Sequence, residues 1–183
     1  KPSGVWIMAY TEIDDPSLYF SSTIWTGNAT DDRAIVIDGT GMQPDFVWIK
    51  SRNDADNHRL VDSVRGATKH LEADTVSSEQ TSSNVKTFTS TGFTLSTNGA
   101  VNANSELYVS WSWKESATAG FDIVSFTGNA TARTISHSLS AVPKMIIMKN
   151  LETVNAQWVV YHVSTGNTQA LYLNTNAAPT DVL

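Results

Sequence analysis

The pentapeptide Thr-Gly-Asn-Ala-Thr occurs twice, at residues 26–30 and 127–131. Internal repetition constrains architecture before any local pattern does, because each copy implies the same structural unit. Here the match extends beyond the pentapeptide. Ser125-Phe126 stands where Ile24-Trp25 stands in the first copy, and PDFVWIK at 44–50 reappears as PKMIIMK at 143–149, an offset of 99. Val160, Gly166, Thr168 and Leu171 then follow Leu60, Gly66, Thr68 and Leu71 at an offset of 100. The offset drifts by one or two residues over about fifty positions, and the slips fall in turns, where insertions are tolerated. The sequence therefore predicts an upstream segment or linker over 1–20, a first β unit over 21–118 and a second unit over 119–183. Nothing in the second unit answers FTSTGFTL or LYVSWSWK of the first, so the second is expected to be incomplete and the native polypeptide to continue past Leu183. Asn28-Ala29-Thr30 and Asn129-Ala130-Thr131 are also N-glycan acceptor triplets. The matched flanks favour the other reading, a Gly-Asn turn that closes the first strand of each unit.

Local patterns are those of strands. In Leu107–Trp113, LYVSWSW, the residues Leu107, Val109, Trp111 and Trp113 alternate with Tyr108, Ser110 and Ser112. Period-two alternation predicts a half-buried strand, with the heavy aromatic face toward the core. DFVWIK at 45–50 and MIIMK at 145–149 are apolar on both faces and are expected to be central strands buried on both sides. Further strands are expected at 23–25, 34–37, 92–96, 123–126, 157–163 and 170–173, which are rich in β-branched and aromatic residues. Residues 71–81 make a poor helical stripe and are expected to form a loop or a single turn. The fold class that follows is all-β: an antiparallel sandwich or jelly-roll-like arrangement of two pseudo-repeated units.

Composition narrows the function classes. The formal net charge is −6, and no basic stripe is present, which argues against a phosphate-backbone partner. Charged residues make up 16% of the chain, below the usual level of about 25%, while Ser, Thr and Asn abound. There is no cysteine, so disulfides and thiolate metal sites are excluded. The first ten residues lack the apolar run of a signal peptide, and no stretch approaches the roughly 20 apolar residues of a membrane span.

Catalytic patterns are not found. No G-x-S-x-G is present. The histidines, His58, His70, His137 and His162, have no metal-ligand spacing, and no metal or cofactor is expected. Asp38, Asp45, Asp62, Glu106 and Asp122 sit at strand ends rather than as the facing pair a glycosidase needs, about 5–9 Å apart. The loop SRNDADNH at 51–58 fails as an EF-hand, since Arg59 and Arg65 fall where glycine and glutamate are required. Its Asn53, Asp54, Asp56 and His58 remain candidates for contact with a glycan or protein partner, against the plainer reading of a hairpin loop. Asp62 and Arg65 lie on opposite faces of an extended strand but meet if the chain bends at Gly66, so they are expected to form a structural ion pair. Trp48, Trp111 and Trp113 are expected in the core, and Trp111→Ala would then cost about 3–5 kcal/mol. Tryptophans left at the surface would stack on sugar rings.

The ordered phrases DDPSLYF, MQPDFVWIKSR, DSVRGATK, TSTGFTL and VNANSELYVSWSWK, over about residues 15–114, resemble a repeated module in predicted virion proteins of marine bacteriophages, cyanophages among them. The second copy looks like the next unit of that array. The resemblance implies a setting and no catalytic residues: the outside of a phage particle, in a homo-oligomeric fibre or appendage. Contact with other virion proteins, and with host-surface glycan to which low charge and abundant Ser, Thr and Asn are suited, is then expected, without nucleic-acid binding or membrane insertion. The expectation is a non-enzymatic structural or interaction module. The alternatives are a polysaccharide depolymerase and a capsid decoration protein that serves assembly alone.

Overall fold

A computed structural model describes residues 13–39 and 41–181; the upstream segment expected over 1–20 lies outside the described residues as far as residue 12. The fold is all-β with antiparallel sheets. The first sheet runs in the order β1 (Phe20–Thr26), β9 (Leu107–Trp113), β3 (Phe46–Ser51), β4 (Arg59–Asp62). A second sheet has the order β2 (Arg33–Val36), β8 (Gly92–Leu95), β7 (Val85–Thr89). Their inward faces meet in one core, in which Trp25, Ile35, Val47, Ile49, Val61, Val85, Phe93, Leu95 and Tyr108 are buried, giving a sandwich-like first half. Between β8 and β9 the chain makes α1 (Gly99–Asn102), a single turn capped by the Asn98 side chain on Ala100 N. It sets Val101 into the same core. The 3-10 turn at Pro16–Leu18 starts from an Asp15 cap and leads straight into β1.

β9 is the strand on which the first sheet depends. It pairs with β1 from Phe20↔Trp113 to Thr26↔Leu107, and with β3 from Phe46↔Trp113 to Ser51↔Tyr108. Its inward side is the reverse of the side its composition suggests. Tyr108, Ser110 and Ser112 are fully buried, whereas Leu107, Val109, Trp111 and Trp113 are half-buried on the outer face. Space explains the reversal. Ser110 lies between Thr23 and Ile49, and Ser112 between Ser21 and Val47, so the branched apolar residues of β3 face small residues on β9 in the inner layer. Tyr108 stacks on Trp25 at 5.6 Å, and its hydroxyl donates to Gly99 O and accepts from Ala103 N.

The remaining strands are β5 (Lys69–His70) with β6 (Gln80–Thr81), and a sheet of β10 (Met145–Met148), β11 (Val159–His162), β12 (Gln169–Tyr172) and β13 (Thr180–Asp181). Of the stretch 71–81 expected to form a loop or single turn, residues 72–79 form a loop, while Leu71 bridges to Leu60 and 80–81 belong to β6. The register of this last sheet coincides with that of β3 to β6. Phe46↔Asp62 corresponds to Met145↔His162, Trp48↔Leu60 to Ile147↔Val160, Leu60↔Leu71 to Val160↔Leu171, and His70↔Gln80 to Ala170↔Thr180. The turns coincide too. Ser63 N donates to Asp45 O and Val163 N to Lys144 O, each at 2.8 Å. Gly66 and Gly166 both sit at positive φ, +102° and +78°. His58 N reaches Asp74 Oδ1 and Trp158 N reaches Asn174 Oδ1, each at 3.1 Å.

Three strand expectations are corrected. Residues 123–126 form no strand, β10 is exposed along its whole length rather than buried on both faces, and β3 is buried on its inner face but only half-buried on its outer one. Residues 123–126 and β10 would need a neighbour equivalent to β9, and none is present among the described residues. The second half instead packs on the first through Trp158, which joins Leu60, Leu71 and Ala73 in a second cluster and donates its Nε1–H to Glu72 O at 2.9 Å.

Candidate functional site

The outer face of the first sheet carries the side chains that β9 turns away from the core. Cross-strand pairing lines them up in rows: Ser22, Trp111, Trp48 and Leu60 in one, Phe20, Trp113, Phe46 and Asp62 in the next. Trp48 and Trp111 meet edge to face, with centroids 6.4 Å apart. Trp113 contacts Phe20 at 4.9 Å and Phe46 at 5.4 Å, and it stacks on Phe121 of the connecting segment at 6.1 Å. Phe121 thus covers the Trp113 end. The Trp111 end is bordered by Ser22 and Ile24, both exposed. Trp48, Trp111 and Trp113 are therefore half-buried outer-face residues, in place of the expected core; among the described residues the buried tryptophans are Trp25 and Trp158.

The loop that joins β3 to β4 borders this aromatic row and holds the four polar residues singled out above. His58 Nδ1 accepts from Trp48 Nε1 at 2.7 Å, with the rings edge to face, so the unprotonated nitrogen is fixed toward the tryptophan. Burial holds the His58 pKa below the ordinary histidine value; the Asp74 carboxylate opposes that shift and Lys50 adds to it. Asn53 Oδ1 accepts from Leu107 N at 2.8 Å and straps the loop to the start of β9. Asp54 caps Ala55 N, its carbonyl accepts from Lys50 Nζ, and Asp56 is half-exposed beside it. Asn53 and His58 thus shape the loop, while Asp54 and Asp56 present carboxylates at its surface.

Behind the loop lies a charge network. The turn at Gly66 brings Arg65 Nε within 2.5 Å of Asp62 Oδ2, and Arg65 also reaches Glu79 at 3.1 Å and Leu60 O at 3.1 Å. Lys69 contacts Glu79 at 2.8 Å, and Arg59 contacts Glu72 at 2.5 Å. Burial alone would raise the Glu79 pKa, but hydrogen bonds from Lys69 and Arg65 outweigh it and hold the carboxylate ionised. His70, buried beside this network and hydrogen-bonded to Ser82 Oγ, has its pKa lowered by burial and by Arg59. Each carboxylate here faces a cation, which marks the network as structural, although Arg59 Nε is buried without a hydrogen-bond partner.

Carboxyl meets carboxyl at the junction of the halves. Burial and the contact with Asp122 raise the Glu115 pKa, while the backbone N–H of Ser138 lowers that of Asp122. Glu115 Oε1 also takes Ile123 N at 2.7 Å, and Asp122 Oδ2 takes Ser138 N at 2.7 Å. Each of these carboxyls is thus engaged by the other and by a backbone N–H. Among the described residues no three His, Asp or Glu side chains form a metal-binding group, and no helix is long and apolar enough to cross a membrane.

The profile of one protein family, described as Domain of unknown function (DUF7483), matches residues 15–182, a span that takes in both sheets of the first half and the whole of the β10–β13 sheet. The chain belongs to this family. No curated protein and no solved structure matches it. In this DUF7483 chain the tryptophan row escaped sequence reasoning because both faces of β9 are compatible with burial by period alone. The usable signal was volume: Ser110 and Ser112 fit opposite Ile49 and Val47, and tryptophans there would not.

Proposed function

We propose that the chain is a non-enzymatic interaction module of a bacteriophage virion, part of a tail fibre or appendage, that contacts other virion proteins and host-surface glycan. One observation carries the reading: a partly exposed aromatic row, Trp111 beside Trp48, the latter also packed on the Leu60 and Trp158 cluster, bordered by a polar loop with the carboxylates of Asp54 and Asp56. Aromatic faces stack on the apolar face of a pyranose, and neighbouring carboxylates accept from its hydroxyls. The sequence resemblance to marine phage modules supplies the setting at the virion surface, in a homo-oligomer. Low charge density and the pairing of the buried carboxylates with cations favour neutral polysaccharide over nucleic acid or membrane as the partner. Titration of host surface polysaccharide against the chain tests the proposal. Trp111→Ala is expected to weaken binding at least tenfold with the fold intact. Undiminished affinity in Trp111→Ala and Trp48→Ala together would refute this site, and release of reducing ends from the polysaccharide would instead favour a depolymerase.

A further inference from the structure

The second half lacks the neighbours its own residues require. Ile146 and Met148 correspond in register to Val47 and Ile49, which are 0% exposed in the first half, yet they are 41% and 42% exposed. Phe126 stands at the Trp25 position and is 53% exposed against 8%. Val47, Ile49 and Trp25 are covered by β9, β8 and α1. Correspondingly, β10 pairs only with β11 and leaves its other edge open, and residues 123–126 and 134–137 run beside no strand.

Glycine chemistry identifies what is missing. Gly27 has an ordinary negative φ, so its backbone conformation does not demand glycine. It is glycine because a Cβ there would lie 1.8 Å from Ala103 O, at the end of α1. Its N–H donates to Glu106 O at 2.7 Å, and its carbonyl accepts from Ser105 N at 2.9 Å. Gly128, in the second pentapeptide, also has no positive φ, and its Cβ would meet nothing within 4 Å. The turn around it is otherwise the same: Ala29 and Ala130 are at φ +53° and +57°, Asn28 and Asn129 cap Thr30 N and Thr131 N, and Arg33 and Arg133 donate to Thr26 O and Thr127 O. The second half thus keeps the clearance for a backbone that it does not contain.

We infer that the second half is an acceptor for a strand segment of the chemistry of residues 84–113, a β-hairpin, one helical turn and a central strand with small inward side chains, supplied from outside residues 13–181. In the bound state the central strand pairs with β10 on one edge and with residues 121–127 on the other. Its helical turn closes on Gly128, and its inward residues cover Phe126, Ile146 and Met148. A second copy of residues 13–181 does not satisfy the site, because that span has one 84–113 segment, already held in its own first half, and two places for it.

Correspondence of Thr81 with Asp181 sets the test, since a copy of residues 84–114 fused directly after Leu183 keeps the spacing of the first half. Amide hydrogen exchange at 124–128 and 145–148 is read with and without the fusion, and exchange at 46–51 reports that the first half is folded. The expected result is slowing by at least tenfold at both stretches, with loss of binding of an apolar-surface dye. A matching fusion with proline at the copied Trp111 position, which removes a ladder hydrogen bond, should show no slowing. Unchanged exchange with the intact fusion overturns the inference. So does a stable dimer of the unfused chain in which 145–148 is already protected, because the occupant is then a second copy.

Discussion

Val47 and Ile146 occupy the same register position in two four-strand patterns, and one is sealed while the other lies in water. The difference does not come from hydrophobicity, since MIIM is as apolar as FVWI. It comes from β9. A strand buries its faces only when its edges are paired and a second layer lies across it, and the first half supplies both through residues 84–113. The two halves therefore compare one set of strand registers with and without its central strand.

Paired substitutions at equivalent positions turn this contrast into numbers. The largest difference is expected for Trp25→Ala against Phe126→Ala. Trp25 is buried against Phe93 and Tyr108, and its removal should cost about 3–5 kcal/mol in denaturant unfolding; the same truncation of exposed Phe126 should cost less than about 1 kcal/mol. Equal costs would break the comparison. Arg65→Ala comes next. It strands the Asp62 carboxylate, 5% exposed, without a cation, and should cost roughly 3–5 kcal/mol, whereas Thr165→Ala at the equivalent turn should stay within about 0.5 kcal/mol. Trp111→Ala is smaller again, about 1–2 kcal/mol, because the ring is only partly buried; a loss near 4 kcal/mol would return this side chain to the core.

The smallest effect is in pH. His58 and His70 have depressed pKa values in the folded chain, so the unfolded chain takes up protons first as pH falls. Their stabilising contribution is complete above about pH 6.5 and is lost as pH drops toward their folded values. Urea midpoints should therefore decline from pH 7.5 to 5.5, and His70→Gln should flatten the decline. Trp158 and Ala170 replace these histidines in the second half, so substitutions there should leave the slope unchanged.

The register of the halves was legible because identical turns and matching apolar runs fix strand pairing, and Asp62–Arg65 was legible because Gly66 permits the bend that joins them. The environment of β10 was not. An apolar run such as MIIM states what a strand needs, not whether a neighbour is present to provide it. The inward face of β9 differs from the expectation for a related reason: alternation separates two faces but does not order them, and Val47 and Ile49 of β3 take the inner volume opposite the serines. The polar residues of the 52–58 loop were found from composition. The tryptophans beside them became a candidate surface only once that face was known to be the outer one.

The central claim is that the halves share one pairing register and differ in the presence of the central strand. Amide hydrogen exchange on the 183-residue chain measures this directly. Amides of β3, held between β4 and β9, should open only with global unfolding, while the free edge of β10 should exchange at least a thousandfold faster, about 4 kcal/mol less protected. Equal protection of β3 and β10 in the monomer would contradict the account.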